Sequence, residues 1–365
     1  MLSSTSSSRA RAPRDNSLRV LLASLLICAG ILLLVEVKLR MAGDIPTVHD
    51  SLELWSVQRS LASSLGDRAL IIVGASRTLV GIDLETLKQE TGLEPVQLSV
   101  DGSGFIPVLE DLAIDPRVTG TVLVSATAGN IVSEDAKDRA WEWVAAYNGK
   151  YRGLFSPTLE ARIRSYLSEH LSFYASQIPP PLLLELLFRD KRVDINYITR
   201  RNRQTDADYS MVKMPVYYME RVLRHLGKEA GSPGLRNMQE FNTYMEDEIR
   251  KLPMGSTAEF LEGLRRLILL TDAIHAHGGK VIYLRMPTDK HIRIIDEKRY
   301  PRRLFWDRLT TIPYASTINS RDYPGLQFMD LPDGSHIDIH DKTRFTRNLA
   351  GILIKQGMVR PTGMP

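Results

Sequence analysis

Ala69-Leu-Ile-Ile-Val-Gly-Ala-Ser-Arg-Thr78 is a short apolar, β-branched run that ends in a glycine and a serine. Such a run without polar alternation predicts a strand, 69 to 73, buried on both faces, because helices cover a parallel sheet above and below. In an open α/β sheet, ligands are met in the loop beyond a strand's carboxyl end. Gly74 lets the chain turn there without a Cβ, and Ser76 then offers a small hydroxyl to a cleft. Taken alone, Ser76 reads equally well as the polar N-cap of a following helix.

Outward from this strand the rhythm repeats. The sequence predicts a helix near Asp83 to Thr91, a strand at 95 to 100, a turn at Asp101-Gly-Ser-Gly104, a helix from about Pro107 to Ile114 and a strand at 121 to 126. Strands alternating with short helices make parallel βαβ units. Residues 130 to 255 interrupt the rhythm with a long, charged, mostly helical stretch, broken at Pro179-Pro-Pro181 and between Gly227 and Gly234, and read as an insertion. The α/β order resumes with an amphipathic helix from Thr257 to His275, a strand at 280 to 285 and a last strand at 326 to 329. Asp341 is expected to cap a final helix carrying Phe345, Leu349 and Ile352 on one face and stopped by Gly357. The expectation is an α/β domain over 67–357: a flavodoxin-like three-layer sandwich with a five-stranded parallel sheet and a helical insertion. Residues 358–365 are left as a tail.

The 365 residues, 43% apolar and 25% charged, are globular in composition. Much of the net charge of +4 lies in an N-terminal arm with Arg9, Arg11, Arg14 and Arg19, so no nucleic-acid surface is implied. Residues 1–17, rich in serine and arginine, are expected to be disordered. Val20 to Val35 is uncharged and nearly all apolar; Leu18, Val37 and Leu39 extend it to a span over 18–39, with Arg19 and Lys38 able to snorkel. A cleavable signal peptide is the competing reading, and no A-x-A-like site follows the run. Arginines before the span outnumber Lys38 and Arg40 after it, which puts the arm in the cytoplasm and the large domain outside. Residues 40–66, with Leu52, Trp55, Leu61 and Leu65 at helical spacing and Gly66 as C-cap, read as a stem helix. Cys28 is the only cysteine and falls inside the span, so thiol catalysis and cysteine-ligated zinc are excluded for the domain.

Near the far end of the chain, Leu331-Pro-Asp-Gly-Ser-His336 places an aspartate and a histidine three residues apart. A serine hydroxyl needs an imidazole to take its proton, and the imidazole needs a carboxylate to fix its tautomer. Ser76, Asp333 and His336 are therefore the candidate catalytic residues. An early serine with a late Asp-x-x-His pair on one loop resembles the SGNH/GDSL hydrolase family, on Gly-Ala-Ser76-Arg-Thr and Asp333-Gly-Ser-His336-Ile-Asp. The α/β-hydrolases share the chain order but expect Gly-x-Ser-x-Gly, where this chain has Thr78.

The resemblance implies an oxyanion hole of the Ser76 N–H, a glycine N–H after the second strand and an asparagine side chain after the third. Gly102 matches the glycine, with Gly104 as the alternative. After the third strand the chain reads Ser125-Ala-Thr-Ala-Gly-Asn130, which departs from the family's pattern, so Asn130 competes with Ser125 or Thr127 for the third place. Arg77, Arg285 and Thr288 are candidate substrate-binding residues, although an arginine under a loop is more often paired with a carboxylate. His336 and His340 have the i, i+4 spacing of a zinc pair, but Asp333 already accounts for His336, and neither metal nor cofactor is implied. Phe305 and Trp306 read as core, with the aromatic and guanidinium groups of 300–306 available to stack on sugar rings.

Two functions are expected from different classes. The first is a membrane-anchored serine esterase or O-acyltransferase in the bacterial cytoplasmic membrane, its domain facing the periplasm or exterior. Family resemblance alone supplies its substrate, acyl esters of cell-surface or exported polysaccharide. The second is a non-catalytic scaffold or polysaccharide-binding protein that keeps the fold, with the insertion docking a membrane partner.

Overall fold

Leu70 and Ile72 point to one side of the strand, and Ile71 and Val73 to the other, and all four are fully buried. The computed structural model describes residues 14–132, 138–153, 155–174, 197–210, 212–229 and 234–360, with side-chain surroundings from 17 onward except at 155–158. Strand β1 (Ala69–Val73) is followed by α3 (Ser76–Gly81), α4 (Leu84–Thr91), β2 (Glu94–Gln97), α5 (Ile106–Ala113) and β3 (Thr121–Ser125). Two helices precede it: α1 (Arg14–Met41) and α2 (Leu52–Leu65). Beyond β3 come α6 (Ala128–Val132), α7 (Arg139–Ala146), α8 (Phe155–His170), β4 (Tyr197–Thr199), β5 (Thr205–Ala207), α9 (Val216–His225) and α10 (Met238–Lys251). The chain closes with α11 (Thr257–Ala276), β6 (Lys280–Arg285), α12 (Lys290–Arg299), β7 (Ala315–Asn319), α13 (Pro324–Gln327) and α14 (Ile339–Lys355).

The main sheet is parallel throughout, in the order β2-β1-β3-β6-β7. One face meets Trp55 of α2, α5, α7 and Phe260, Leu264 and Leu267 of α11. The other meets Leu84 and Leu87 of α4 and Phe345, Leu349 and Leu353 of α14. This is the expected three-layer α/β arrangement. Both sheet faces are buried, so each of these helices needs only one apolar stripe.

Several boundaries differ from the sequence reading. The fifth strand is 315–319, not 326–329. Pro324 opens a one-turn helix there, in which Leu326 is buried, and Phe328 beyond it is 73% exposed. β7 lies at the edge of the sheet and buries only Ile318 and Asn319, so it carries no continuous apolar run. β2 ends at Gln97, but the N–H groups of Leu98 and Val100 still bond Ile72 and Gly74 carbonyls at 2.8 and 2.9 Å. The final helix is capped by Asp338, which accepts from the His340 N–H at 2.9 Å, and not by Asp341, whose carboxylate holds the Asp330 N–H instead. Gly357 stops it with φ +68°, as expected. Val359, in the expected tail, is buried.

Residues 14–17, expected to be disordered, form the start of α1; the rest of that expectation, 1–13, lies outside the described residues. The helix is long and apolar enough over Ser17–Met41 to cross a membrane. Its last turns are held to the domain. Glu36 accepts from the Phe173 N–H at 3.1 Å, and Arg40 donates to the His170 carbonyl at 2.7 Å. The stem is helical only from Leu52, and it is part of the domain: Trp55 is fully buried and donates to the Leu98 carbonyl at 3.0 Å.

The insertion is not purely helical, since β4 and β5 pair as an antiparallel hairpin. Arg203 in its turn, at φ +62° and fully buried, donates to the Gln97 and Ser99 carbonyls, both at 2.8 Å, and to Asp50. The hairpin packs Ala207, with the nearby Tyr209, against Val80 of α3, so the insertion borders the helix that begins at Ser76. Pro179-Pro-Pro181 lies outside the described residues. Helices α9, α10 and α12 share a small core of Tyr218, Val222, Phe241, Met245, Ile292 and Ile295.

Candidate active site

The turn after β1 is tight because nothing larger than glycine fits. A Cβ at Gly74 would collide with Thr78 Oγ1 and lie 2.8 Å from Ser125 Cβ. Thr78 occupies that space in order to hold the turn: its hydroxyl donates to the Ala75 carbonyl at 3.2 Å and meets Ser99 Oγ at 2.9 Å. The chain then enters α3 with Ala75 as N-cap and Ser76 as its first helical residue. Ser76 therefore does not cap the helix, and its hydroxyl is free for another partner.

That partner is His336. Ser76 Oγ lies 2.7 Å from His336 Nε2, and His336 Nδ1 lies 2.6 Å from Asp333 Oδ2. Asp333 and His336 are fully buried and Ser76 is 8% exposed. The network assigns the tautomer: Nδ1–H donates to the carboxylate, which leaves the Nε2 lone pair toward the serine. The other carboxylate oxygen accepts the Ser335 and His336 N–H groups at 2.9 and 2.8 Å, an arrangement that a three-residue loop makes possible. Burial alone would raise the Asp333 pKa. The charge and hydrogen bond of His336, with the two backbone N–H groups, outweigh it and hold the carboxyl well below the usual range.

Behind this pair stand aromatic rings from the insertion. Tyr197 meets the His336 ring edge-on at 6.2 Å between centroids. Burial, reinforced by Asp333, keeps the Tyr209 phenol protonated far above its ordinary range.

A cleft of about 420 Å³ opens over Ser76. Of the expected residues, Ser76, Gly102, Asn130, Arg77 and Arg285 line it, while Thr288 does not, nor do the fully buried Asp333 and His336. The two glycines differ in hydrogen bonding: the Gly104 N–H is taken by the Asp138 carboxylate, whereas Gly102, at φ +68° in the turn, has no acceptor among the described residues. Asn130 sits on α6 and is turned by Thr127, whose hydroxyl bonds its side-chain oxygen. Its Nδ2 then lies 3.8 Å from where a Gly104 Cβ would stand. Thus the Ser76 end of α3, the Gly102 turn and the Asn130 amide border one cleft, with Ser125 and Thr127 in its wall. Replacing Asn130 with alanine is expected to lower turnover of a chromogenic ester by about 10²- to 10³-fold with little change in KM, the usual cost of one oxyanion donor. An unchanged kcat would remove Asn130 from that role.

Arg77 pairs with Asp296 at 3.7 Å, and Arg285 with Glu297 at 3.0 Å. Phe305 and Trp306 are buried as expected, with Trp306 and Tyr300 forming part of the cleft wall. His340 is exposed, and no cluster of potential metal ligands occurs among the described residues. The sequence reading missed Arg221, His225, Asp296 and Arg299, which also line the cleft. Arg221 and His225 are one turn apart on α9, and that i, i+4 spacing was their only signal. Searches against known protein families and against curated proteins find no match for this chain.

Proposed function

We propose that this chain is a membrane-anchored serine esterase or O-acyltransferase of the SGNH type, acting on acyl esters of cell-surface or exported polysaccharide. The observation that carries the reading is the continuous hydrogen-bonded chain from Ser76 Oγ through His336 to Asp333, at 2.7 and 2.6 Å. His336 takes the hydroxyl proton as Ser76 attacks the ester carbonyl, and Asp333 steadies the imidazolium. The Ser76 and Gly102 N–H groups and the Asn130 amide receive the charge developing on the carbonyl oxygen. Water or a sugar hydroxyl, deprotonated by the same imidazole, releases the acyl group. The excess of arginines before the apolar run argues for an N-terminus in the cytoplasm and a domain outside a bacterial cytoplasmic membrane.

A scaffold that had lost catalysis would be expected to show a displaced base or an obstructed cleft; the aligned residues and the open cleft favour the enzyme. The full chain in detergent is expected to be labelled by a fluorophosphonate, and Ser76→Ala is expected to abolish the label. Equal labelling of the two would refute Ser76 as nucleophile.

A further inference from the structure

We propose that the alcohol half of the ester handled by this cleft carries an anionic group, a carboxylate or a phosphate, and that Arg221 receives it. The inference rests on the serine-esterase reading above. In that reaction the Ser76 Oγ bond to the carbonyl carbon forms and the bond from that carbon to the alcohol oxygen breaks. The Ser76 proton travels through His336 Nε2 to the departing oxygen, and transfer to an acceptor runs the same path in reverse. The alcohol must therefore stand beside Nε2.

Arg221 stands there. Its Nη2 is 3.2 Å from His336 Nε2, while its Nε is 3.6 Å from Asp333, whose oxygens are already engaged by closer donors. The guanidinium is 31% exposed, on a helix that the small core with α10 and α12 fixes at the cleft wall. The rest of the lining points the same way. Arg77, Arg285 and Arg299 also line the cleft; Arg285 pairs with Glu297 at 3.0 Å, and the carboxylates among the described lining residues are those of Asp138 and Asp296. Asp138 accepts from the Gly104 and Ala140 N–H groups, and Asp296 is held by His225 at 2.8 Å and by Arg77. Among the described lining residues Arg77, Arg221, Arg285 and Arg299 outnumber these two carboxylates. A guanidinium matches a carboxylate or phosphate with two parallel hydrogen bonds, which a neutral hydroxyl cannot return.

The position has a second effect. Nε2 has one in-plane lone pair, and Arg221 and Ser76 both aim a proton at it. An anion on the alcohol draws Arg221 aside and leaves the lone pair to Ser76, so the right substrate also frees the base.

The test compares acetyl release, as kcat/KM, from O-acetylated methyl glucoside, methyl glucuronide and glucose 6-phosphate by the full chain in detergent. The wild-type protein is expected to favour the two charged esters by about tenfold or more, as a charge-assisted bidentate contact should. The larger of the two advantages names the anion. Arg221→Gln is expected to bring the preference close to one, and Arg221→Lys, which keeps the charge but loses the fork, to retain part of it. Equal turnover of all three esters by the wild type overturns the proposal and leaves the esterase reading standing. A preference that survives Arg221→Gln overturns the role given to Arg221. No turnover, together with an unlabelled Ser76, overturns the esterase reading itself.

Discussion

Replacing Ser76 with alanine is expected to lower ester turnover by about 10⁴- to 10⁶-fold, and His336→Ala by a similar amount, because triad members act as a unit. The double variant should be hardly worse than either single one. That non-additivity is the informative result: independent contributions would multiply, whereas removing either end of one proton path leaves nothing for the other to do. Among the described residues the Ser76 hydroxyl bonds only His336 Nε2, so its loss takes no packing from the core and the variant should unfold like the parent. A residual rate above about one part in a hundred in purified Ser76→Ala would show that the hydroxyl is not the attacking group.

The largest expected effect on stability lies on the far side of the sheet. Arg59 of α2 is buried with Asp111 and Asp115. It donates to the Asp111 carboxylate, to Ser63 at 2.6 Å, to the Asp111 carbonyl at 3.1 Å and to Asp115 at 3.3 Å. Ser63 in turn donates to Asp115 at 2.8 Å. Changing Arg59 to methionine leaves the buried Asp111 carboxylate without its cation and Asp115 with Arg117 alone, at a cost of about 3–5 kcal/mol. The exposed pair Lys88–Glu94, at 2.9 Å, should by contrast be worth about 0–1 kcal/mol. Urea unfolding of the full chain in detergent measures both, and an Arg59→Met loss below about 1 kcal/mol would mean that water reaches the cluster.

The same cluster sets an acid limit. Burial would raise the Asp115 pKa, but hydrogen bonds from Arg117 and Ser63 and the charge of Arg59 carry it well below its ordinary value, and Asp333 is displaced in the same direction. A carboxyl whose folded pKa is depressed binds more protons when unfolded. Its stabilisation is complete above the unfolded pKa of about 3.9 and drains away as pH falls toward the folded one. The urea midpoint should therefore decline below about pH 4 through these two groups. In Arg59→Met the fall through Asp115 should be smaller and end at higher pH, since losing one cation moves its folded pKa back toward the unfolded one.

Most of the frame was legible because it rests on residues whose burial forces their character. Leu70 to Val73 and Val122 to Val124 lie between two helical layers and can only be apolar, so four of the five strands could be read directly. The fifth escaped for the converse reason: an edge strand with three half-exposed residues has no need of an apolar run. Leu326 imitated a strand residue because its burial comes from a single helical turn. Ser76, Asp333 and His336 could be read together because a serine nucleophile calls for an imidazole and a carboxylate, and they do meet, although no strand at 326–329 leads into the Asp333 loop. Arg221, His225 and Asp296 could not, since a charged residue on a helix has the same signature facing a cleft as facing water. Only the tertiary contact between the insertion and the sheet's carboxyl edge separates the two.

The joint between α1 and the domain bears on reach. Glu36 and Arg40 clasp residues 170–173, and Thr47 and Val48 bond both sides of the Thr199 peptide at 2.9 Å. The chain that leaves the helix is thus pinned within ten residues of its end. A globule on a slack tether samples a hemisphere of heights, with a radius that grows as the square root of its leash; this one is mounted on a bracket. In a bilayer its opening would keep one altitude and one bearing; on the polysaccharide function proposed above, lengthening the segment at 42–46 should alter which stretches of polymer are reached before it alters the rate on a small soluble ester.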